Sequence, residues 1–367
     1  MHTPSARSHA TSHAAPPAVP RLSVIVPVYQ GAGTLTACLH AICASSLHAS
    51  ARELIVVDDS SSDGSAAIAE EHADVVLHLP GSPRGPAHAR NLGAQRARGD
   101  VLVFVDADVV VSRTALAQLD ALFTGDHELT AAFGAYDTSP RDPGIVSQYR
   151  NLLHHFVHAT HAGPAATFWA GLGAVRRLPF LAAGGFDANR YPSPQCEDIE
   201  LGYRLTDRGH RLLLVPDVQG THLKRWTLGG MLRTDLYARA IPWMHLLLER
   251  RSQPASRALN VNALDTLLTA LAGVACAAVL LAVIFGEVRW LWLALFCIVC
   301  IVAANVPLLR WFARIRGTGF AAQAAGLRVL FYVVSGFGAA MALVTHHRQS
   351  AWPPPVSLME STDHATA

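Results

Sequence analysis

The residues best suited to chemistry in this chain are carboxylates standing at the ends of apolar runs. Asp106 and Asp108 directly follow the run 101–105. Two carboxylates at i and i+2, where a strand unwinds into a turn, can converge on one hard cation such as Mg2+ or Mn2+. Bridged to a diphosphate, that cation would neutralise leaving-group charge. Asp58 and Asp59 close a second apolar run at 53–57 and can accept hydrogen bonds from a base N–H or a ribose hydroxyl. Residues 60–63 beyond them also carry turn and capping chemistry. Arg84 and Arg90 flank the start of a predicted helix near Pro86, where an arginine suits a diphosphate. Glu197 and Asp198 open another predicted helix, an acidic N-terminus that the helix dipole favours whatever else it does. Farther on, Lys224 and Arg225 can meet a diphosphate and Trp226 can stack on a sugar. His154, His155, His158 and His161 recur at helical spacing and read as a locally polar helix face.

These residues need elements to hold them. Residues 22–29 form a β-branched run of strand length broken by Gly31 and Gly33, followed by a helix over 34–44. The pattern repeats as a strand at 53–57, a helix at 64–72, a strand at 74–79, a helix at 86–98, a strand at 101–105 and a helix at 114–123. Apolar strands alternating with helices predict an α/β fold, a mostly parallel sheet covered on both faces. Ligands then sit beyond the carboxyl ends of the strands. Those ends carry Pro27 and Tyr29, then Asp58 and Asp59, then Asp106 and Asp108, so aromatic and acidic groups face one crevice. Residues 130–245 are less regular and read as the second half of the same domain, with a helix over 198–207.

The 367 residues are 51% hydrophobic and only 15% charged, with a net charge of +2. That balance is too weakly basic for a nucleic-acid partner. Residues 1–20 lack the apolar core of a secretory signal and read as a disordered tail. The six cysteines form no metal framework; Cys297 and Cys300 read as packing residues in an apolar helix. Segments 267–285 and 290–309 are free of charge and long enough to cross a bilayer, and 327–344, with Arg328 at its start, is a third span. Residues 246–264 would be a juxtamembrane segment, preceded by an interfacial helix at 241–248 bearing Trp243, and 346–367 a C-terminal tail. Arg250, Arg251 and Arg257 before the first span, with Arg310, Arg314 and Arg316 between the second and third, place the large domain, 21–245, in the cytoplasm as part of a multi-pass inner (plasma) membrane protein.

Five segments in order then resemble family 2 glycosyltransferases with the GT-A fold: LSVIVPVYQG at 22–31, ELIVVDDSSSDGS at 53–65, GPAHARNLGAQRARGDVLVFVDAD at 85–108, GGFDAN at 184–189 and CEDIELGYRLTDRGHRLLLVPD at 196–217. The resemblance implies that Pro27 and Tyr29 line the base pocket and that Asp58 and Asp59 read base and ribose. Arg90 and Asn91 would belong to the donor-site helix. Asp106 would contact the nucleotide sugar, and Asp108, with Asp106, the metal. Glu197-Asp198 matches the family's acidic pair, in which the Asp is general base for the acceptor hydroxyl, as an inverting single displacement requires. His222 stands where processive members carry Gln before Arg225-Trp226, and is similar to the metal or diphosphate ligand of some non-processive GT-A enzymes. The implied reaction is transfer of one sugar from a nucleoside-diphosphate donor to a lipid-linked or envelope-glycan hydroxyl. A processive polysaccharide synthase and a catalytically inactive GT-A scaffold are the rival readings. A nucleotidyltransferase would carry a basic phosphate loop after the first strand, and residues 28–33 have glycines but no Arg or Lys.

Overall fold

The computed structural model describes residues 19–250 and 263–346. The expected tails, the arginines at 251 and 257 and most of the juxtamembrane segment lie outside these residues. The N-terminal half follows the alternation in the sequence: β1 (Leu22–Val28), α1 (Ala32–Cys43), β2 (Arg52–Asp58), α2 (Ser65–His72), β3 (Val75–His78), α3 (Pro86–Arg96) and β4 (Val101–Val105). Every residue of β1 and β4 is buried, as expected for strands covered on both faces. The strands pair in parallel in the order β3-β2-β1-β4. Their carboxyl ends therefore share one edge of the sheet.

Beyond β4 the sheet is mixed. After β5 (Val109–Val111), α4 (Ala115–Gly125), β6 (Leu129–Tyr136), α5 (Ile145–Thr160), β7 (Gly163–Ala165), β8 (Leu172–Arg176), α6 (Arg177–Ala182) and α7 (Glu197–Asp207) comes β9 (Arg211–His222). β8 runs antiparallel to β4 and β6, whereas β9 pairs parallel with β6 and antiparallel with β5. The nine-stranded sheet is thus wholly parallel across β3-β2-β1-β4 and mixed beyond them. The region that is irregular in sequence supplies the other half of the sheet.

A helical section follows: α8 (Leu228–Arg233), a π-helical turn (Thr234–Ala240) and α9 (Ile241–Glu249). Leu246 of α9 packs with Ala166 and Tyr203 of the sheet domain. Among the described residues, α10 (Ala263–Phe285) and α13 (Thr318–Thr345) are long and apolar enough to cross a membrane. The expected span 290–309 is not straight: α11 (Arg289–Ala304) ends at Asn305, and α12 (Val306–Arg316) leaves at 64°. Pro307 explains the break, because its ring removes an N–H and collides with the preceding helical turn. Asn305 closes α11 with its amide on the Ile301 carbonyl at 2.9 Å. The last apolar helix begins at Thr318, nine residues before the expected 327. Arg328 does not point away from the bundle; it bonds Asn305 at 2.8 Å and Asp265 at 3.2 Å. A side-chain partner inside the helices satisfies a charge that the sequence pattern alone leaves to the interface.

Candidate active site

The carboxyl ends of β1, β2 and β4 lie on one edge of the sheet, as parallel pairing requires. Tyr29, beyond β1, is 53% exposed, while Asp58 and Asp59 are buried. Among the described residues, the only non-glycine residues with left-handed backbone are Gln30 and Ser60, φ +51° and +65°. They sit just past these two strand ends, where strained backbone commonly accompanies a binding site. Asp59 has a structural duty: its carboxylate accepts the Arg84 N–H at 2.9 Å and the Gly85 N–H at 2.7 Å. This pins the entry to α3. Gly85 must be glycine, with φ +89° and a pro-Cβ direction that meets the Pro192 carbonyl.

Arg90, one turn into α3, ties the two carboxylate motifs together. Its Nη2 donates to Asp106 Oδ1 at 2.7 Å and its Nη1 to Glu197 Oε1 at 3.0 Å. Only 6% of its side chain is exposed. Burial works against its charge, but Asp106 and Glu197 hold the guanidinium protonated. Asn91 uses both ends of its amide on the backbone of Phe186, at 2.8 and 2.9 Å, which locks α3 to the 184–187 turn. Arg90 is therefore a strut between Asp106 and the start of α7, and Asn91 a fastener.

The acidic pair opening α7 divides. Glu197 is buried, bound by Arg90 and by the Gln195 N–H at 2.8 Å. Asp198 accepts only backbone N–H groups, from Ala170 at 3.1 Å and Ile199 at 2.8 Å. Burial, reinforced by the adjacent Glu197 charge, lifts its carboxyl to about 7. A carboxylate poised there accepts a proton at neutral pH far better than an ordinary Asp.

On the other flank, pairing of β5 with β9 sets His222 opposite Val109, and so beside Asp108. His222 Nε2 lies 3.4 Å from Asp108 Oδ2. Its Nδ1 meets Asn151 Oδ1 at 2.8 Å, and Asn151 is oriented by its own donation to the Ser147 carbonyl at 2.9 Å. Nδ1 then carries a proton, which leaves Nε2 as the ring nitrogen facing the carboxylate, able to offer it a proton or, once that proton is displaced, a lone pair to a shared cation. Either a proton or a metal cation can sit between the two groups. A ligating His whose other nitrogen is held by a fixed acceptor is the usual second layer of a metal site. The donor set therefore fits a divalent cation held by Asp108 and His222, the remaining positions falling to a diphosphate and water. Among the described residues no three ligating side chains converge into a closed cage, and Asp106 is turned to Arg90. Charges split accordingly: burial, with the neighbouring Asp108, raises the Asp106 carboxyl against the pull of Arg90. Burial acts on Asp108 too, but His222 and Lys224 outweigh it and hold its carboxyl low.

His222 stacks on Tyr136, centroids 4.4 Å apart, and Tyr136 leans on His154 and Trp169. Thus His154 and His158 are not a polar surface. Burial pushes both imidazoles down, His158 to about 4, and they back the site as neutral packing. His155 turns to the Tyr136 carbonyl and stacks on Trp311 of α12, and His161 is exposed. Lys224 lies over Trp226 at 4.5 Å and Arg150 approaches the same ring at 5.1 Å, while exposed Arg225 reaches Asp142 at 3.8 Å. Trp226 packs on the cluster of Tyr149, Phe312 and Leu308, between the sheet domain and the C-terminal apolar helices. Asn151, Tyr136 and Trp169 carry no motif in the sequence; only the packing of α5 against β9 reveals them.

The family described as glycosyl transferase family 2 matches residues 23–174. Glycosyltransferase AglE of Haloferax volcanii is 33% identical over 219 residues, 56% of this chain and 68% of that protein. Poly-beta-1,6-N-acetyl-D-glucosamine synthase of Staphylococcus aureus is 27% identical over 203 residues, 49% of this chain and 47% of the synthase; the chain spans about half of that relative. Mannosyltransferase PcManGT from Pyrobaculum calidifontis, solved in complex with GDP-Man and Mn2+, shares the fold with a TM-score of 0.55 at 20% identity, over 89% of this chain and 87% of that one.

Proposed function

This chain belongs to glycosyl transferase family 2 and is a glycosyltransferase of GT-A fold, and from that premise we propose an inverting transfer of one sugar from a nucleoside-diphosphate donor to an acceptor hydroxyl. The observation that carries this reading is Arg90, whose guanidinium joins Asp106 on the donor side to Glu197 beside Asp198. It sets a proton acceptor across from the donor crevice, as attack opposite a departing diphosphate requires. Tyr29 and the Asp58–Asp59 strand end receive the nucleoside, and Asp106 the donor sugar. Asp198 takes the proton of the attacking hydroxyl. Asp108 and His222, oriented by Asn151, would hold a divalent cation, which supplies charge neutralisation for the leaving diphosphate. Lys224 and Arg225 border that side of the crevice. The apolar helices α10 and α13 suggest membrane association; a multi-pass, cytoplasm-facing enzyme acting on a lipid-linked or envelope-glycan acceptor fits them. The kinship of relatives such as the S. aureus synthase supports a second, processive reading, and product length separates the two. The test is a screen of nucleotide sugars with Mn2+ by thermal shift and turnover. If no nucleotide sugar stabilises the protein and none is consumed, the reading fails.

A further inference from the structure

Two helical stretches run side by side through the C-terminal part of the chain. One is α8, the π-helical turn and α9, residues 228–249; the other is α13. Ala324, early in α13, packs in one cluster with Met231 of α8 and with Tyr149 and Leu152 of α5. Farther along, Leu236 and Tyr237 share a groove with Val333 and Phe337. A Cβ at Gly338 would then meet that of Ala240. At the end of α13, Thr345 Oγ1 lies 3.2 Å from His245 Nε2, and the His346 ring stacks on His245 with centroids 5.9 Å apart. Contacts advance together along both sequences, so the two stretches are parallel neighbours.

The first stretch begins and ends on the sheet domain. Just before it, the Trp226 N–H donates to Ser147 Oγ of α5 at 2.8 Å. At its end, Glu249 pairs with Arg190 at 2.7 Å and Arg250 with Asp207 at 2.6 Å. The start of α13 is tied to the same domain: Arg316, two residues ahead of it, donates to the Thr138 carbonyl at 2.7 Å and to Gln148 Oε1 at 3.0 Å. The 28 residues of α13 make a helix about 42 Å long, against a hydrocarbon core of roughly 30 Å. A crossing helix of that length leaves its ends on opposite faces of the bilayer, where one globular domain cannot hold both.

The hydropathy of α13 has a second source. α10 also packs along it, with Asp265 accepting from the Tyr332 hydroxyl at 2.8 Å and Thr269 lying against Gly336. A helix enclosed on two sides is apolar nearly all round whether or not it spans. What stays open is a strip at Phe337, Leu343 and Val344, with Phe337 and Val344 two turns apart on one face. The α10–α11 hairpin is different: Ala275 and Ala278 pack on Ala294 and Cys297, while Val279, Leu280, Val283, Phe285, Trp292 and Phe296 are exposed.

We propose that α13 does not cross the membrane but lies along the bilayer surface, its Phe337–Val344 strip in contact with acyl chains and both its ends on the side of the sheet domain. The α10–α11 hairpin then supplies the deep anchor, and α13 works as a strap between sheet domain and lipid. This placement is independent of the chemistry assigned to the site.

The test uses the full chain in sealed membrane vesicles whose sheet domain faces outward, as reported by a charged, impermeant maleimide on exposed Cys43. Thr318→Cys and a cysteine appended after Ala367 flank α13. Both are expected to label to the same extent as Cys43, read site by site by mass spectrometry. If one labels with Cys43 and the other only after detergent is added, α13 crosses and the proposal is overturned. A second measurement reads depth, with nitroxides on Phe337→Cys and Val344→Cys and dissolved oxygen set against a water-soluble nickel chelate. The two labels should sit within a few Å of one depth and favour oxygen. A difference of about 10 Å, seven residues at ~1.5 Å each, would overturn the surface placement. Equal access of the chelate to both labels would overturn the lipid contact. Failure to bind any nucleotide sugar would strike the glycosyltransferase reading and leave these outcomes unchanged.

Discussion

Replacing Asp198 by Asn should abolish turnover and, at the same time, make the protein more stable. Asp198 is enclosed, receives only two backbone hydrogen bonds and lies beside the Glu197 charge; its carboxyl stands at about 7. An unfolded Asp ionises near 4, so folding costs up to about 4 kcal/mol once Asp198 is charged, at ~1.4 kcal/mol per pKa unit. The sign follows from the raised folded value: this stability is present below pH 4, is lost as pH rises, and is gone above pH 7. Asn keeps the shape and an oxygen for the Ala170 N–H but carries no charge. At pH 8 the variant should melt higher by as much as roughly 8–16 °C for a domain of this size, and the gap should close towards pH 4. Turnover should fall by about a hundred- to ten-thousandfold, the usual worth of a general base. In the wild type, kcat/KM should rise through pH 7 as Asp198 deprotonates. Scanning fluorimetry across pH, paired with donor-consumption assays, reads both effects. Wild-type turnover in Asp198→Asn would remove it as the base. An inert variant that melts lower at pH 8 would refute the argument that a buried charge is held there at a cost.

Asn151→Leu should lower Mn2+ affinity by roughly ten- to a hundredfold through the freed His222 ring, measured by electron paramagnetic resonance with a nucleoside diphosphate present; an unchanged affinity would detach Asn151 from the metal side. Arg90→Met leaves buried Glu197 and half-buried Asp106 without their cation, so unfolding should become easier by about 3–5 kcal/mol and transfer should cease; chemical denaturation checks the first and donor consumption the second. Gly85→Ala forces a side chain into left-handed backbone against the Pro192 carbonyl, and should destabilise the protein by more than about 1 kcal/mol while raising the KM for donor, because the Asp59 anchor shifts.

How much of this was legible beforehand depended on range along the chain. Strands β1, β2 and β4 announce themselves as β-branched, mainly apolar runs, and parallel pairing puts their carboxyl ends on one edge whatever the rest of the chain does. Hence Tyr29, Asp58–Asp59 and Asp106–Asp108 could be gathered onto one edge of the sheet from local pattern alone, and the ordered motifs carried the family. The division of labour among those residues was not legible, because it is set by partners far off in sequence. Arg90 became a strut only when α7 brought Glu197 to it, and Asn91 a fastener only when the 184–187 turn arrived. The three histidines of α5 and His161 after it have polar periodicity, but the sheet packed against α5 makes His154 and His158 neutral filling. Pairing of β5 with β9, short strands with no distinctive signal, set His222 beside Asp108. The apolar stretch 290–309 looked continuous because hydropathy averages over Pro307, whereas a helix cannot hydrogen-bond through it. Composition and periodicity determined which elements exist and which residues end them. Tertiary packing decided which carboxylate is paired and which is left to take a proton, since those depend on charge, burial and distance in space.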